Sequence, residues 1–144
     1  MNVKIKKMND VATIPKYAKD GDAGLDLMAT RKTLDEKKKQ ITYGTGISLE
    51  IPNGYVGLLF PRSSICKTDL SLSNCVGVID SSYRGEVTAV FNYSKKEERE
   101  LVDYAVGERV VQLIIIPYPQ IEFEEVEELS GTERGESGYG STGK

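Results

Sequence analysis

Asp26 stands between Leu25 and Leu27 in DAGLDLMA, a carboxylate set in an apolar, strand-like run. Such a group is either an outward-facing polar residue or one kept for a cation. In PRSSI (Pro61 to Ile65) the proline ends the apolar run YVGLLF, and Arg62, Ser63 and Ser64 follow where a short helix begins. A helix start with free N–H groups, hydroxyls and a guanidinium suits a phosphate; it equally suits a plain serine cap. In NCVGVIDSSYRGE (Asn74 to Glu86), Val76, Val78 and Ile79 lead into Asp80, then Ser81, Ser82, Tyr83 and Gly85. Read as a β-hairpin, its tip carries a carboxylate able to activate water, a ring able to pack beneath a sugar, and backbone groups for a base edge. An ordinary hairpin with a capping Asp has the same residues. Gln112 lies inside the apolar run VVQLIII; a buried amide needs a partner, and a bond to neighbouring backbone is the plain account. The end of the chain, RGESGYGSTGK (Arg134 to Lys144), cannot build a core. It is either a floppy terminus or a lid that orders over a nucleotide. For the lid, Arg134 offers a phosphate-binding fork, Tyr139 a flat ring, and the glycines backbone N–H groups that approach an anion closely.

The chain has 144 residues and no histidine. That excludes Ser-His-Asp and Cys-His catalysis of the usual kind, and histidine metal ligands with them. A catalytic base would be a carboxylate or a metal-bound water, and a metal would be a hard ion held by oxygen, such as Mg²⁺. Cys66 and Cys75 make neither a zinc site nor a disulfide framework and read as buried or idle thiols. A net charge of −3 argues against a duplex nucleic-acid binder but leaves a small anionic ligand open. The 39% hydrophobic content suits one globular domain. No apolar run approaches the ~20 residues of a membrane span, and no apolar stretch follows the lysines of MNVKIKKMND. The expected compartment is the cytosol.

The elements that must position these residues read as short strands. Val3 and Ile5 alternate with polar neighbours; Ile47, Leu49 and Ile51 alternate, and Pro52-Asn53-Gly54 turns the chain into YVGLLF. Val87, Ala89, Phe91 and Tyr93 share one face. KKEERE (Lys95 to Glu100) reads as a charged hairpin tip, and RKTLDEKKKQ as a solvated loop or edge. VVQLIII reads as a strand buried on both faces that stops at Pro117, and IEFEEVEEL as an alternating strand with an acidic outer face. The one expected helix is short, around Ser64 to Asp69. About ten closely spaced strands predict a sandwich, barrel or jelly roll.

Taken in order, AGLDL, PRSS, GVIDSSYRGEV, GERVVQL and RGESGYGSTG resemble the five motifs of the trimeric dUTPases, the deoxyuridine triphosphate nucleotidohydrolases. The resemblance runs from about Asp22 to Lys144. It implies an all-β fold: a jelly-roll β-barrel of the β-clip type, with one short helix and a flexible C-terminal arm. Residues 1–129 would form the jelly-roll domain, and residues 130–144 the arm that closes the active site of a neighbouring subunit. The family assembles as a homotrimer with shared sites.

The same resemblance implies the chemistry. Water would attack the α phosphorus of dUTP with Mg²⁺ assistance, giving dUMP and pyrophosphate, which limits uracil in DNA and supplies dUMP for thymidylate synthesis. Carried over position by position, Asp26 would hold Mg²⁺ through its waters, the ion being held mainly by substrate phosphates. Arg62 and Ser63 would bind phosphate oxygens, with Ser64 beside them. Asn74 and the backbone of Val78, Ile79 and Asp80 would read uracil. Tyr83 would pack on the deoxyribose and leave no room for a 2′-hydroxyl, and Asp80 would orient and deprotonate the water. Gln112 would contact the phosphate chain, Arg134 the γ phosphate, and Tyr139 would stack on uracil. The Gly140-Ser141-Thr142 backbone would cap the phosphates. Ser64 and Ser137 stand where the family often carries glycine, and Tyr139 replaces a more common phenylalanine.

Two other readings accompany this one. The dCTP deaminases share the fold and an Arg-Ser-Ser run, but use a glutamate where this chain has Val90; ammonia release from dCTP separates the two. A nucleotide-responsive protein-interaction module would use exposed loops such as RKTLDEKKKQ, and its binding to a protein partner would change with dUTP. Neither nucleic acid nor membrane is an expected partner. The cytoplasm is the expected location, or the nucleus in a eukaryotic or viral setting.

Overall fold

The computed structural model describes residues 1–94 and 99–138. Ten strands lie among them: β1 (Lys4–Lys7), β2 (Leu25–Met28), β3 (Arg31–Asp35), β4 (Gln40–Gly44), β5 (Ile47–Glu50), β6 (Tyr55–Pro61), β7 (Leu70–Leu72), β8 (Gly77–Ile79), β9 (Thr88–Tyr93) and β10 (Arg109–Pro117). One sheet runs β2-β10-β6-β8, a second runs β3-β4-β9-β7, and β1 pairs with β5. All of these pairings are antiparallel. The strand spacing left a sandwich, barrel or jelly roll open, and the all-β jelly roll implied by the family resemblance is the observed fold.

Alternation decides which faces meet. Val87, Ala89 and Phe91 are buried, as the period of two requires. They meet Ile41 and Tyr43 of β4 and Leu70 and Leu72 of β7 in one continuous core with Leu27, Leu59, Val110, Val111 and Leu113 of the other sheet. Tyr43, Phe91 and Tyr104 form the aromatic centre, with Tyr43 and Phe91 edge-to-face at 5.7 Å. Burying Phe91 alone contributes about 2 kcal/mol. β10 is the central strand of its sheet, with β2 on one side and β6 on the other, so its apolar run is covered on both faces at Val110, Val111 and Leu113.

The short helix is a 3-10 turn, Ser63–Lys67, with Arg62 rather than a serine at its N-cap and no side-chain cap bond. Two expectations fail. Asn74 to Glu86 is not a hairpin. β8 pairs with β6, whereas β9 pairs with β4 and β7, so the turn at Asp80 carries the chain from one sheet to the other. Turn residues announce a reversal but not the partner of the strand that follows. IEFEEVEEL is not a strand either: residues 118–129 carry no strand, and Ile121, Phe123, Val126 and Leu129 are exposed. Pro117 ends the pairing of β10 with β6 opposite Tyr55, and beyond it residues 118–129 pair with no strand among the described residues. Part of the KKEERE tip, residues 95–98, lies outside the described residues, as do the expected arm residues Tyr139, Gly140, Ser141 and Thr142.

Candidate active site

β10 gathers three of the sequence motifs. Gln112 lies opposite Asp26 of β2 and opposite Phe60 of β6. Directly opposed residues of an antiparallel pair point to the same face. Arg62 follows Phe60 by two positions, at the end of β6 where the 3-10 turn begins. Asp26, Arg62 and Gln112 are thereby brought to one place from three separate parts of the sequence.

They line an open cleft of about 380 Å³ with Asp22, Gly24, Ser63 and Arg109. Arg62 donates from Nε to Asp26 Oδ1 at 2.6 Å and from Nη2 to Asp26 Oδ2 at 3.2 Å. Arg109 Nη1 reaches the same Oδ2 at 3.0 Å. One carboxylate thus faces two guanidinium groups, and with Asp22 the cleft lining carries two carboxylates and two guanidinium groups. Gln112 Nε2 donates to the Pro61 carbonyl at 2.9 Å, which is the structural bond expected of a buried amide, and it ties β10 to the start of the PRSS turn. Gly24 makes room for that side chain: a Cβ there would come within 2.5 Å of Gln112 Oε1. Ser63 is exposed at the cleft, and among the described residues its hydroxyl makes no hydrogen bond. Ser64 does not line the cleft; its Oγ lies 3.3 Å from Arg62 Nη1 and 3.0 Å from the Tyr104 hydroxyl.

A second, smaller pocket of about 190 Å³ is lined by Asn74, Val78, Ile79, Asp80, Tyr83 and Glu86, with Leu59, Gly77, Val87 and Thr88. Asp80 and Asn74 are exposed at its mouth. The turn is closed by Tyr83 N–H to the Asp80 carbonyl at 3.1 Å. Tyr83 folds back so that its hydroxyl donates to the Glu86 carbonyl at 3.0 Å. Only glycine at position 85 permits this, because a Cβ there would lie 2.3 Å from the Tyr83 hydroxyl. Glu86 fastens the turn to the body through an ion pair with Arg31 and by accepting the Gly46 N–H at 2.8 Å. Burial pushes the Glu86 carboxyl up, but the bonds from Arg31 and Gly46 outweigh it and hold the group below its ordinary range.

The two groups of residues line separate pockets on one chain. Ile79, next to Asp80, pairs with Gly57, while Arg62 follows Pro61. From Gly57 to Pro61 is roughly 13 Å of strand. Arg134 is in neither pocket; its Nε donates to the Ser137 carbonyl at 3.0 Å, and both residues are exposed. Arg109 was missed by the sequence reading although it lies inside GERVVQL; its place at the start of β10, beside β2, was the available signal.

Among the described residues, no three of Asp, Glu, Cys and His form a metal-binding group. The cleft offers carboxylates singly: Asp26, held by two arginines, and Asp22, whose Oδ2 accepts the Lys19 N–H at 2.9 Å. That set does not dehydrate a hard cation. It fits Mg²⁺ that arrives on phosphate oxygens and keeps several waters. No helix among the described residues is long and apolar enough to cross a membrane.

The dUTPase family profile matches residues 10–143. The chain is 41% identical over 143 residues to the deoxyuridine 5′-triphosphate nucleotidohydrolase of Corynebacterium glutamicum, covering 99% of this chain and 95% of the relative. It is 41% identical over 146 residues to that of Nautilia profundicola, covering the full length of both. The solved structure of the Staphylococcus bacteriophage 80alpha dUTPase with dUPNHPP superposes with a TM-score of 0.82 at 30% identity, covering 99% of each chain. A match that spans the jelly roll and every motif places this chain in the dUTPase family.

Proposed function

We propose that the protein hydrolyses dUTP to dUMP and pyrophosphate by Mg²⁺-assisted attack of water on the α phosphorus. The observation that carries this reading is the convergence of Asp26, Arg62, Ser63, Arg109 and Gln112 on one cleft. Arg62 and Ser63 hold phosphate oxygens, with Arg109 adding a second guanidinium. Gln112 uses one Nε2 hydrogen on Pro61 and keeps the other for the phosphate chain. Asp26 would hold Mg²⁺ through water, and the bound ion would neutralise charge on the pyrophosphate leaving group.

The pocket beside Asp80 takes the nucleoside. Asn74 and the backbone from Val78 to Asp80 read the uracil edge. Tyr83, locked over Gly85, supports the deoxyribose and excludes a 2′-hydroxyl. Asp80 takes one proton from the attacking water; the new P–O bond forms as the bond from the α phosphorus to the bridging oxygen breaks, and pyrophosphate departs. Arg134, Tyr139 and the Gly140-Ser141-Thr142 backbone close over the substrate, which aligns the phosphates and keeps bulk water out.

The site is completed by assembly, and the unit is a homotrimer. The separation of the two pockets along β6 supports this, since a base must lie within hydrogen-bond reach of the water it activates. So does the alternating segment 121–129, whose exposed Ile121, Phe123, Val126 and Leu129 have no cover among the described residues. The apolar groove lined by Val3, Ile5, Ile14, Leu49 and Ile115 offers a matching surface.

The test is pyrophosphate release from dUTP, dTTP, dCTP and UTP, with Mg²⁺ and with chelator, beside sedimentation analysis. Release from dUTP alone, dependent on Mg²⁺ and carried by a trimer, is the expected result. No release from dUTP by the folded trimer would refute the reading.

A further inference from the structure

Arg62 is gripped by more than the Asp26 carboxylate. Asp26 binds Nε and Nη2, along one edge of the guanidinium. That pair fixes one edge of the guanidinium. The third nitrogen, Nη1, donates to Ser64 Oγ at 3.3 Å, with a longer contact of 3.5 Å to the Arg109 carbonyl. A guanidinium only donates, so Ser64 Oγ accepts here, and the serine keeps its proton and a lone pair for the Tyr104 hydroxyl 3.0 Å away.

Tyr104 is a rigid post. It is 6% exposed, and its ring packs on Tyr43 and Phe91 with centroids 6.2 Å apart in each case. Its backbone N–H and carbonyl both bond to the Tyr43 hydroxyl, at 3.1 and 2.9 Å. Tyr43 is fully buried. Burial, and then the Asp103 charge, push its phenol upward, so it stays protonated and keeps both bonds. The line from the aromatic core to the cleft is therefore Tyr43, Tyr104, Ser64, Arg62, and each member is held before the next.

We propose that Tyr104 is a positioning residue for hydrolysis: acting through Ser64, it fixes the plane of Arg62 so that the remaining guanidinium donors face the phosphates. Ser64 then serves as the link in this chain, and its hydroxyl is turned to Tyr104 and Arg62. The inference rests on the reading of the cleft as the phosphate site of dUTP.

The test compares Tyr104→Phe and Ser64→Ala with wild type in binding dUPNHPP and deoxyuridine. Tyr104→Phe keeps the ring packing and removes one hydroxyl. Each variant should melt as wild type does and bind dUPNHPP roughly tenfold more weakly, the scale of one hydrogen bond. Deoxyuridine, which has no phosphate, should bind unchanged. In an Arg62→Ala background, Tyr104→Phe should cost nothing further. Equal losses for both ligands, or full additivity with Arg62→Ala, would overturn the proposal. Should Tyr104→Phe fail to fold, Ser64→Ala carries the same comparison. Wild-type protein that neither hydrolyses dUTP nor binds dUPNHPP would refute the functional reading itself, before any variant is made.

Discussion

Gln112 and Asp26 lie directly opposite each other in the pairing of β10 with β2, so their side chains share one face of the sheet. Phe60, two residues before Arg62, opposes Gln112 on the other flank. A single central strand thus sets the spacing of three motifs. Because Arg62 and Arg109 both converge on Asp26, the carboxylate both orders the cleft and tunes its charge.

Asp26→Asn removes that charge without removing bulk. The arginines lose their shared partner, and no carboxylate remains to engage hydrated Mg²⁺ at that position. The expected result is a fall in kcat/KM of about 10²-fold, with the Mg²⁺ requirement moved to higher concentration. Pyrophosphate release titrated with Mg²⁺ measures both. A lower rate with an unchanged Mg²⁺ curve would assign Asp26 to the arginines alone.

Asp80→Asn separates binding from chemistry. The turn at Asp80 is closed by its carbonyl, not its carboxylate, so the pocket should keep its shape and dUPNHPP should bind as before. Turnover should fall by roughly 10²- to 10⁴-fold. An Asp80→Asn protein with near-normal kcat would remove Asp80 from the role of base.

Much of this was legible in the sequence, and the failures share a cause. The alternation of Val87, Ala89 and Phe91 gave β9 its inward face because burial and periodicity report the same geometry. Asp26, Arg62 and Gln112 could be singled out because each is polar beside an apolar run. What a linear reading lacks is the partner. Asp80 to Gly85 has the residues of a hairpin tip, yet β8 and β9 belong to different sheets. IEFEEVEEL has the period of a strand, yet it pairs with no strand among the described residues. The Ser64–Tyr104 contact joins residues forty apart in sequence, and no local pattern marks it.

Glu86 gives the fold a pH dependence with a definite sign. Its folded-state value lies below the ordinary value of 4.5. The carboxylate therefore contributes stability that is fully present above about pH 4.5 and is lost as pH falls through the lower, folded value. Glu86→Gln keeps the shape and loses the charge opposite Arg31. It should cost about 1 kcal/mol near pH 7, a modest figure because Arg31 is half exposed, and little at a pH below the folded-state value. Urea denaturation at the two pH values checks this; an equal cost at both would mean that the pair with Arg31 is not the source.

Removal of residues 134–144 tests the arm. Beyond the bond from Tyr118 N–H to the Gly54 carbonyl, the main-chain bonds of the described segment are local, from Gly135 to Thr132 and from Ser137 to Arg134. Arg134 likewise bonds within the segment. Residues 134–138 are exposed and make no core contact among the described residues, so melting temperature and sedimentation should not change. Closure over the triphosphate would be lost, and with it Arg134 at the γ phosphate and Tyr139 on uracil. Activity should fall by about 10²-fold or more, with dUPNHPP affinity falling further than that for deoxyuridine, because most of the lost contacts are to phosphate. A truncated protein that dissociates would make the arm a structural element; one that keeps full activity would show that the cleft on the jelly roll suffices for hydrolysis.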